Sequence, residues 1–423
     1  MEGPDERRGG TNEIVPQDGS EYSSGMILRR QLPAWSPLTA GALGAAVWPS
    51  ADALSRIEQR ITEEYQASSV ILVQSGTVAL ALGFLASAPE GHRPRIGLPA
   101  WGCFDLMTAA DTVDAEVLLY DLDPHTLAPD PDSLRGILAR GPHAIVVAHW
   151  FGLPVDLRPW AAETHAVGAL LVDDAAQAVG GSFAGRPVGA GGDFGVLSFG
   201  RGKGRTGGEG GTILASTPEA EARLRGVASK LAPPKSALRS YATLWAQWMF
   251  GRPGTYWFPA AIPWLRLGET IYRSPPALRS MTDRSAAVLD RLWDLSAREG
   301  EVRRQNAVRW RQALTGTKEV TPIEPPNEAS PGWLRFPVLA VGSALTRLSE
   351  VGSHYGVARG YPRPLMDLPV SAGRITPTSA RLEGSRELAK HLFTLPTHSR
   401  LAPRDVAALA RLLPSGSSSG FPR

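Results

Sequence analysis

The chain has 423 residues, 43% hydrophobic and 20% charged, the balance of a globular protein long enough for one large domain and a smaller one. Its 44 Lys and Arg against 41 Asp and Glu leave a net charge of +3 with no basic run, which argues against a nucleic-acid partner. The lone cysteine, Cys103, excludes an internal disulfide and eight histidines leave few soft ligands, so a reducing, cytoplasmic setting without a metal centre is expected.

Residues 1–25 are polar and Gly-rich, with no apolar h-region, and read as a disordered tail rather than a signal peptide. The longest uncharged stretch, Leu32 to Ala51, is interrupted by Pro33, Pro37 and Pro49 and suits a membrane span poorly. Residues 26–230 are expected to form the large domain. Within it short apolar runs, SVILVQ (69–74), RIGLP (95–99), AEVLLYDL (115–122), AIVVAH (144–149), GALLVDD (168–174), FGVLSF (194–199) and GTILAS (211–216), alternate with helical stretches. Continuous apolar strands predict a mostly parallel sheet covered on both faces, hence an α/β fold.

Residues 231–280 form a connector rich in Trp and Pro. Its stretch YATLWAQWMFGRPGTYWFPAAIPWLRLG (241–268) is expected to pack on its own protein or a partner subunit rather than span a bilayer. Residues 281–415 are expected to form a smaller α+β domain, with a helix over 282–314, a strand over 333–340 and helices near 343–355, 383–393 and 402–413. A second disordered tail is expected over 416–423.

In an open parallel sheet, ligands bind beyond the carboxyl ends of the strands, so the residues after each apolar run are the informative ones. Ser75-Gly76-Thr77 opens a helix and offers hydroxyls and amides for an anion, although Ser and Thr are also ordinary N-caps. Asp174, followed by Ala175-Ala176-Gln177, could hold a ring nitrogen protonated or merely cap a helix. Ser198 leads into Gly200-Arg201-Gly202-Lys203 and GRTGGEGG, a loop in which Lys203 is close to the only long side chain able to reach inward as nucleophile, base or Schiff-base former. A P-loop does not fit, because Leu197 stands at its first glycine and Gly204 follows the lysine; a dinucleotide fingerprint fits poorly so late in the sheet. His143 and His149 lack neighbours at zinc spacing and read as structural, with His149 near the pocket. Arg201 and Arg205 flank the lysine and suit either a substrate phosphate or solvent.

The segments SGTVAL, PAWGCF, DLDPHTLAPD (121–130), VVAHWFGLPVD, the run from DDAAQAVGG to GEGG, YPRPL and LFTLPTH resemble successive landmarks of the DegT/StrS sugar aminotransferases, fold-type I enzymes that use pyridoxal phosphate (PLP). The resemblance is close over residues 50–215 and looser over 280–413. It implies that Lys203 holds the cofactor as a Schiff base and shuttles a proton, and that Asp174 pairs with the pyridine nitrogen. Gln177 would lie near the ring face or its 3-hydroxyl, and Gly76, Thr77 and Ser198 would hold the phosphate. Lysine rather than histidine at 203 implies a transaminase, acting with Glu or Gln as donor on a nucleotide-linked keto sugar, as a homodimer.

Three departures stand out. Cys103 replaces an aromatic residue that would stack on the cofactor, leaving Trp101 or Phe104 as substitutes; RSMTDRSAAV near residue 280 lacks the partner-subunit Asn; and Met366 replaces a His after YPRPL. The competing readings are a different PLP reaction on a non-sugar substrate, and a non-catalytic PLP-fold binding protein.

Overall fold

Strands that are apolar along their whole length need cover on both faces, and helices supply it here. The computed structural model describes residues 29–235, 238–262, 265, 271–369, 373–376 and 381–414, so the tails expected over 1–25 and 416–423 lie outside the described residues. Helices α1 (Ala40–Val47) and α2 (Ala53–Tyr65) precede β1 (Ser69–Val73). There follow α3 (Gly76–Ser87), β2 (Arg95–Pro99), α4 (Asp105–Thr112), β3 (Glu116–Tyr120), α5 (Pro131–Leu138), β4 (Ala144–Ala148), α6 (Arg158–Ala166) and β5 (Leu170–Asp174). Two short strands, β6 (Ser182–Phe183) and β7 (Arg186–Pro187), lead to β8 (Phe194–Ser198), β9 (Gly211–Ala215) and α7 (Pro218–Ala228).

Seven strands form one sheet in the order β1-β9-β8-β5-β4-β2-β3. Strands β3, β2, β4, β5 and β8 pair in parallel, whereas β9 is antiparallel to both its neighbours, β1 and β8. Every residue of β4, β8 and β9 is buried, as the unbroken apolar runs require. The expected α/β fold with a mostly parallel sheet is therefore observed.

The connector contains two helices, α8 (Leu238–Phe250) and α9 (Pro253–Ala260). Helix α10 (Asp283–Ala313), N-capped by Thr282, packs on α1 and α2 and also reaches α13 (Pro403–Leu412). A second sheet has the order β10-β12-β14-β13, built antiparallel from β10 (Val320–Pro322), β12 (Phe336–Ala340), β13 (Ala358–Arg359) and β14 (Leu392–Leu395). Helices α11 (Gly342–Val351) and α12 (Glu383–His391) accompany it, and β11 (Ala329–Ser330) crosses back to pair with β6. The helix expected over 383–393 stops at His391. Leu392 instead begins β14, whose four residues are all buried beside β12 and leave no polar face for a helix to present.

Gly195 in the middle of β8 passes so close to the Gly189 carbonyl that an added Cβ would lie 1.7 Å from its oxygen. Gly195→Ala should cost about 3 kcal/mol or more, read as a lower denaturant midpoint at unchanged slope.

Candidate active site

The chain turns sharply where β1, β8 and β9 meet. Ser75 caps α3, its hydroxyl accepting from the Val78 amide at 3.3 Å. Gly76 sits against Ser198, where an added Cβ would lie 2.9 Å from the serine Cβ and 3.2 Å from its Oγ, so only glycine lets the helix end approach this closely. Gly210 completes the turn, donating to the Gln74 carbonyl and accepting from the Phe199 amide, both at 2.9 Å. The Thr77 amide, in the first helical turn, has no intrahelical acceptor. This amide, the Thr77 hydroxyl and the Ser198 hydroxyl at the positive end of α3 are suited to an anion.

At the end of β5 two adjacent carboxylates part. Asp173 is fully buried and takes the amides of Gly189 and Gly191, each at 2.8 Å, and His149 Nε2 at 2.7 Å. His149 Nδ1 in turn accepts from the Val155 amide at 2.8 Å, so the ring proton lies on Nε2 and His149 donates to Asp173. Asp174, 7% exposed, receives one hydrogen bond among the described residues, from the Ala176 amide at 3.0 Å. Burial pushes its pKa up to about 6, against the opposing pull of that amide, the Lys203 ammonium and His149.

Lys203 is half-buried, and its positive charge lowers the pKa of both Asp174 and Cys103, so it lies within electrostatic reach of the two. Its backbone is pinned by Ser36, whose hydroxyl donates to the Lys203 carbonyl at 2.7 Å. Burial pushes the Cys103 thiol up to about 12, with Asp105 adding to the shift, so this side chain stays a neutral thiol. Of the three residues considered for stacking, Cys103 is partly exposed, while Trp101 and Phe104 are buried. Trp101 is locked by its Nε1 bond to the Tyr361 carbonyl at 2.9 Å and packs edge-on against Trp150 and Tyr361.

Gln177 has both ends of its amide engaged. Its Oε1 accepts from the Phe151 amide at 3.2 Å and its Nε2 donates to the Tyr361 hydroxyl at 2.5 Å. Tyr361 opens the YPRPL segment and stacks on Phe151 at 6.1 Å, so it forms a wall of the site that sequence reasoning quoted as a landmark without assigning a role. Arg201 is exposed beside the lysine, but Arg205 turns away, buried, paired with Glu64 at 2.8 Å and over the Trp293 ring at 3.9 Å. His143 Nδ1 accepts from the Arg95 amide at 3.0 Å, far from this cluster along β4. The segment at 280 lies beside the anion turn: Ser280 bridges Val73, and Met281 fills the space where a Cβ on Gly210 would go. Met366 is exposed, 37% accessible. Among the described residues no group of three or more His, Cys, Asp or Glu is placed to hold a metal ion.

The raised pKa of Asp174 has a signature in stability. In the unfolded chain this acid titrates near 3.8 and in the folded one near 6, so between these values the native state binds the extra proton and stability falls as pH rises. The loss is complete above about pH 6 and amounts to about 3 kcal/mol. Cofactor-free Asp174→Asn should therefore exceed the unsubstituted protein by up to that amount in urea denaturation at neutral pH, with the gap closing towards pH 4.

Over residues 40–413 the chain matches the DegT/DnrJ/EryC1/StrS aminotransferase family. It is 30% identical over 163 residues to an L-glutamine:2-deoxy-scyllo-inosose aminotransferase of Streptomyces kanamyceticus, covering 38% of each chain. It is 29% identical over 155 residues to the GDP-perosamine synthase of Caulobacter vibrioides, covering 37% of this chain and 42% of that protein. The matched stretches thus span about two fifths of the length of these curated relatives. Among solved structures, the sugar aminotransferase CalS13 from Micromonospora echinospora shares the fold with a TM-score of 0.70 at 20% identity, over 92% of this chain and 99% of that one. An amine within electrostatic reach of a buried carboxylate, in a chain whose sheet ends also carry an anion cradle at a helix N-terminus, is a donor set that fits PLP. The chain belongs to the DegT/DnrJ/EryC1/StrS aminotransferase family, whose cofactor is pyridoxal phosphate.

Proposed function

We propose that this protein is a PLP-dependent aminotransferase that moves an amino group from Glu or Gln to the keto group of a nucleotide-linked sugar, working in the cytoplasm as a homodimer. The observation that carries this reading is the buried Asp174 within electrostatic reach of Lys203, on a sheet whose neighbouring strand end brings Ser198 against Gly76 at the start of α3. PLP supplies an electron sink that lets an amino group leave one carbon and join another. The protein's own groups divide the remaining work. Thr77 and Ser198, with the close approach allowed by Gly76, hold the phosphate at the helix end. Asp174 holds a proton at the ring nitrogen; a carboxylate stripped of water and given one amide donor is stabilised by a cationic N–H partner. Lys203 would move a proton between the substrate carbon that loses or gains the amine and the cofactor carbon that carries the amine in between. Gln177 keeps Tyr361 and Phe151 in place, and the ring cluster around them excludes water, while Cys103 lines the pocket as a neutral thiol.

The name of the first relative supports Gln as donor, and that of the second supports a nucleotide-linked acceptor. One is named for L-glutamine and an inosose, a cyclic ketone, and another for a GDP-linked amino sugar. The exposed Arg201 beside the lysine suits the diphosphate of a nucleotide-linked acceptor.

Incubation of the PLP-loaded enzyme with Glu or Gln and a panel of keto-sugar nucleotides and free keto-cyclitols should yield amine product only with the nucleotide-linked acceptors. Lys203→Ala should lose at least about a thousandfold in turnover, and Asp174→Ala at least about a hundredfold. Undiminished turnover in Lys203→Ala refutes the mechanism; product from the cyclitols alone refutes the acceptor class.

A further inference from the structure

Helix α8 is anchored by one face and apolar on the other. Inward, Leu244 with Tyr241 and Trp248 joins a cluster that includes Trp35, Leu43, Val288 and Leu292. The Trp35 ring lies over Gly251 between the two helices, where an added Cβ would be 2.1 Å away. Outward, Trp245 and Met249, one turn apart, are 40% and 48% exposed, and Phe258 of α9 is 50% exposed and stacked on Phe250 at 5.7 Å. Helices that are apolar all round are ordinarily buried in protein or lipid.

The charge of the segment says what covers it. From Ala222 to Gly268 the sequence has no Asp or Glu and seven Lys or Arg residues. The same segment holds four of the chain's 12 tryptophans, Trp245, Trp248, Trp257 and Trp264, and Trp is a residue of membrane–water interfaces. The two helices and their turn, residues 238–260, hold two Arg and no acid, so a two-fold dimer formed through this patch would have no carboxylate of the hairpin to meet those cations. An anionic lipid surface complements it in both apolarity and charge. At 13 and 8 residues the two helices are too short to cross a bilayer, and no described helix is long and apolar enough to do so.

We propose that the α8–α9 hairpin docks this protein on an anionic bilayer, with Trp245, Met249 and Phe258 at the headgroup boundary and Arg252, exposed in the turn between the helices, on a lipid phosphate. The test is co-sedimentation of the full-length, PLP-loaded protein with phosphatidylcholine vesicles with and without phosphatidylglycerol. Partition into the anionic vesicles should be at least about tenfold stronger and should weaken as salt is raised. The double variant Trp245→Ser, Phe258→Ser should lose at least about tenfold of that binding, and Arg252→Glu should weaken it further, with folding intact by circular dichroism. Absence of binding to anionic vesicles, or binding unchanged in the double variant, overturns the proposal. So does conversion of a lipid-free dimer to monomer by the double variant in size-exclusion chromatography, which would make the patch a subunit interface.

Discussion

Two neighbouring acids at the end of β5 set the chemistry of the site, because successive side chains of a strand point to opposite faces. Asp173 looks away from Lys203 and collects three N–H donors, from Gly189, Gly191 and His149, which hold the 189–191 turn and the β4 end in register with β5. Asp174 looks towards Lys203 with a single amide for company. The same residue type thus serves structure on one face and is left under-solvated on the other. Moving β5 by one residue would exchange the two environments, so the pairing of Asp173 with Val147 and of Asp174 with Ala148 is as much a part of the site as the acids themselves.

The rest of the site is set by segments that meet from far apart in sequence. Phe151 and Gly152 both have positive φ, 57° and 89°, and the backbone at 332–334 passes within 2.6 Å of where a Gly152 Cβ would stand. The Gly332 amide bonds to the Gly152 carbonyl at 2.9 Å and the Arg335 amide to the Phe151 carbonyl at 3.1 Å, which delivers Phe151 to Tyr361 and Gln177. On the opposite side, Arg29 makes a two-pronged ion pair with Asp405 at 2.6 and 2.8 Å, and His398 bonds to the Leu32 carbonyl. Burial lowers the His398 pKa to about 4, so this ring is a neutral donor at physiological pH. A few residues further on, Ser36 holds the carbonyl of Lys203, so residues 29–36 run as a strap from α13 to the lysine loop.

The seven strands were legible because they depend on a local signal, unbroken apolar runs, and the same local reading made Lys203, Asp174 and the turn at Gly76 candidates as residues that directly follow those runs. What was not legible depends on distance or on side. Gln177 and Tyr361 are 184 residues apart, and nothing in DDAAQA names its partner. Arg205 stands two residues from Lys203, yet the turn of the loop sends it to Glu64 and Trp293. Leu392 continues the helical rhythm of the preceding segment, and only the neighbouring β12 makes it a strand. In α8 both faces are apolar, so periodicity alone cannot tell that Leu244 points in and Trp245 out.

The glycines around Lys203 act through packing as well as through freedom, since Gly202 and Gly208 have positive φ, 70° and 83°. A Cβ on Gly204 would lie 2.5 Å from the Val179 carbonyl oxygen, one on Gly207 would lie 2.6 Å from that of Ser285, and one on Gly208 would lie 2.6 Å from Leu244 Cδ2. The loop is therefore pressed between the chain that follows Gln177, the first turn of α10 and the inner face of α8. Three close contacts hold it from three directions, so the backbone that carries Lys203 is fixed by packing. Leu244 belongs to the same helix that exposes Trp245 and Met249, so a surface that grips the outer face of α8 bears, through one side chain, on the loop that carries the amine.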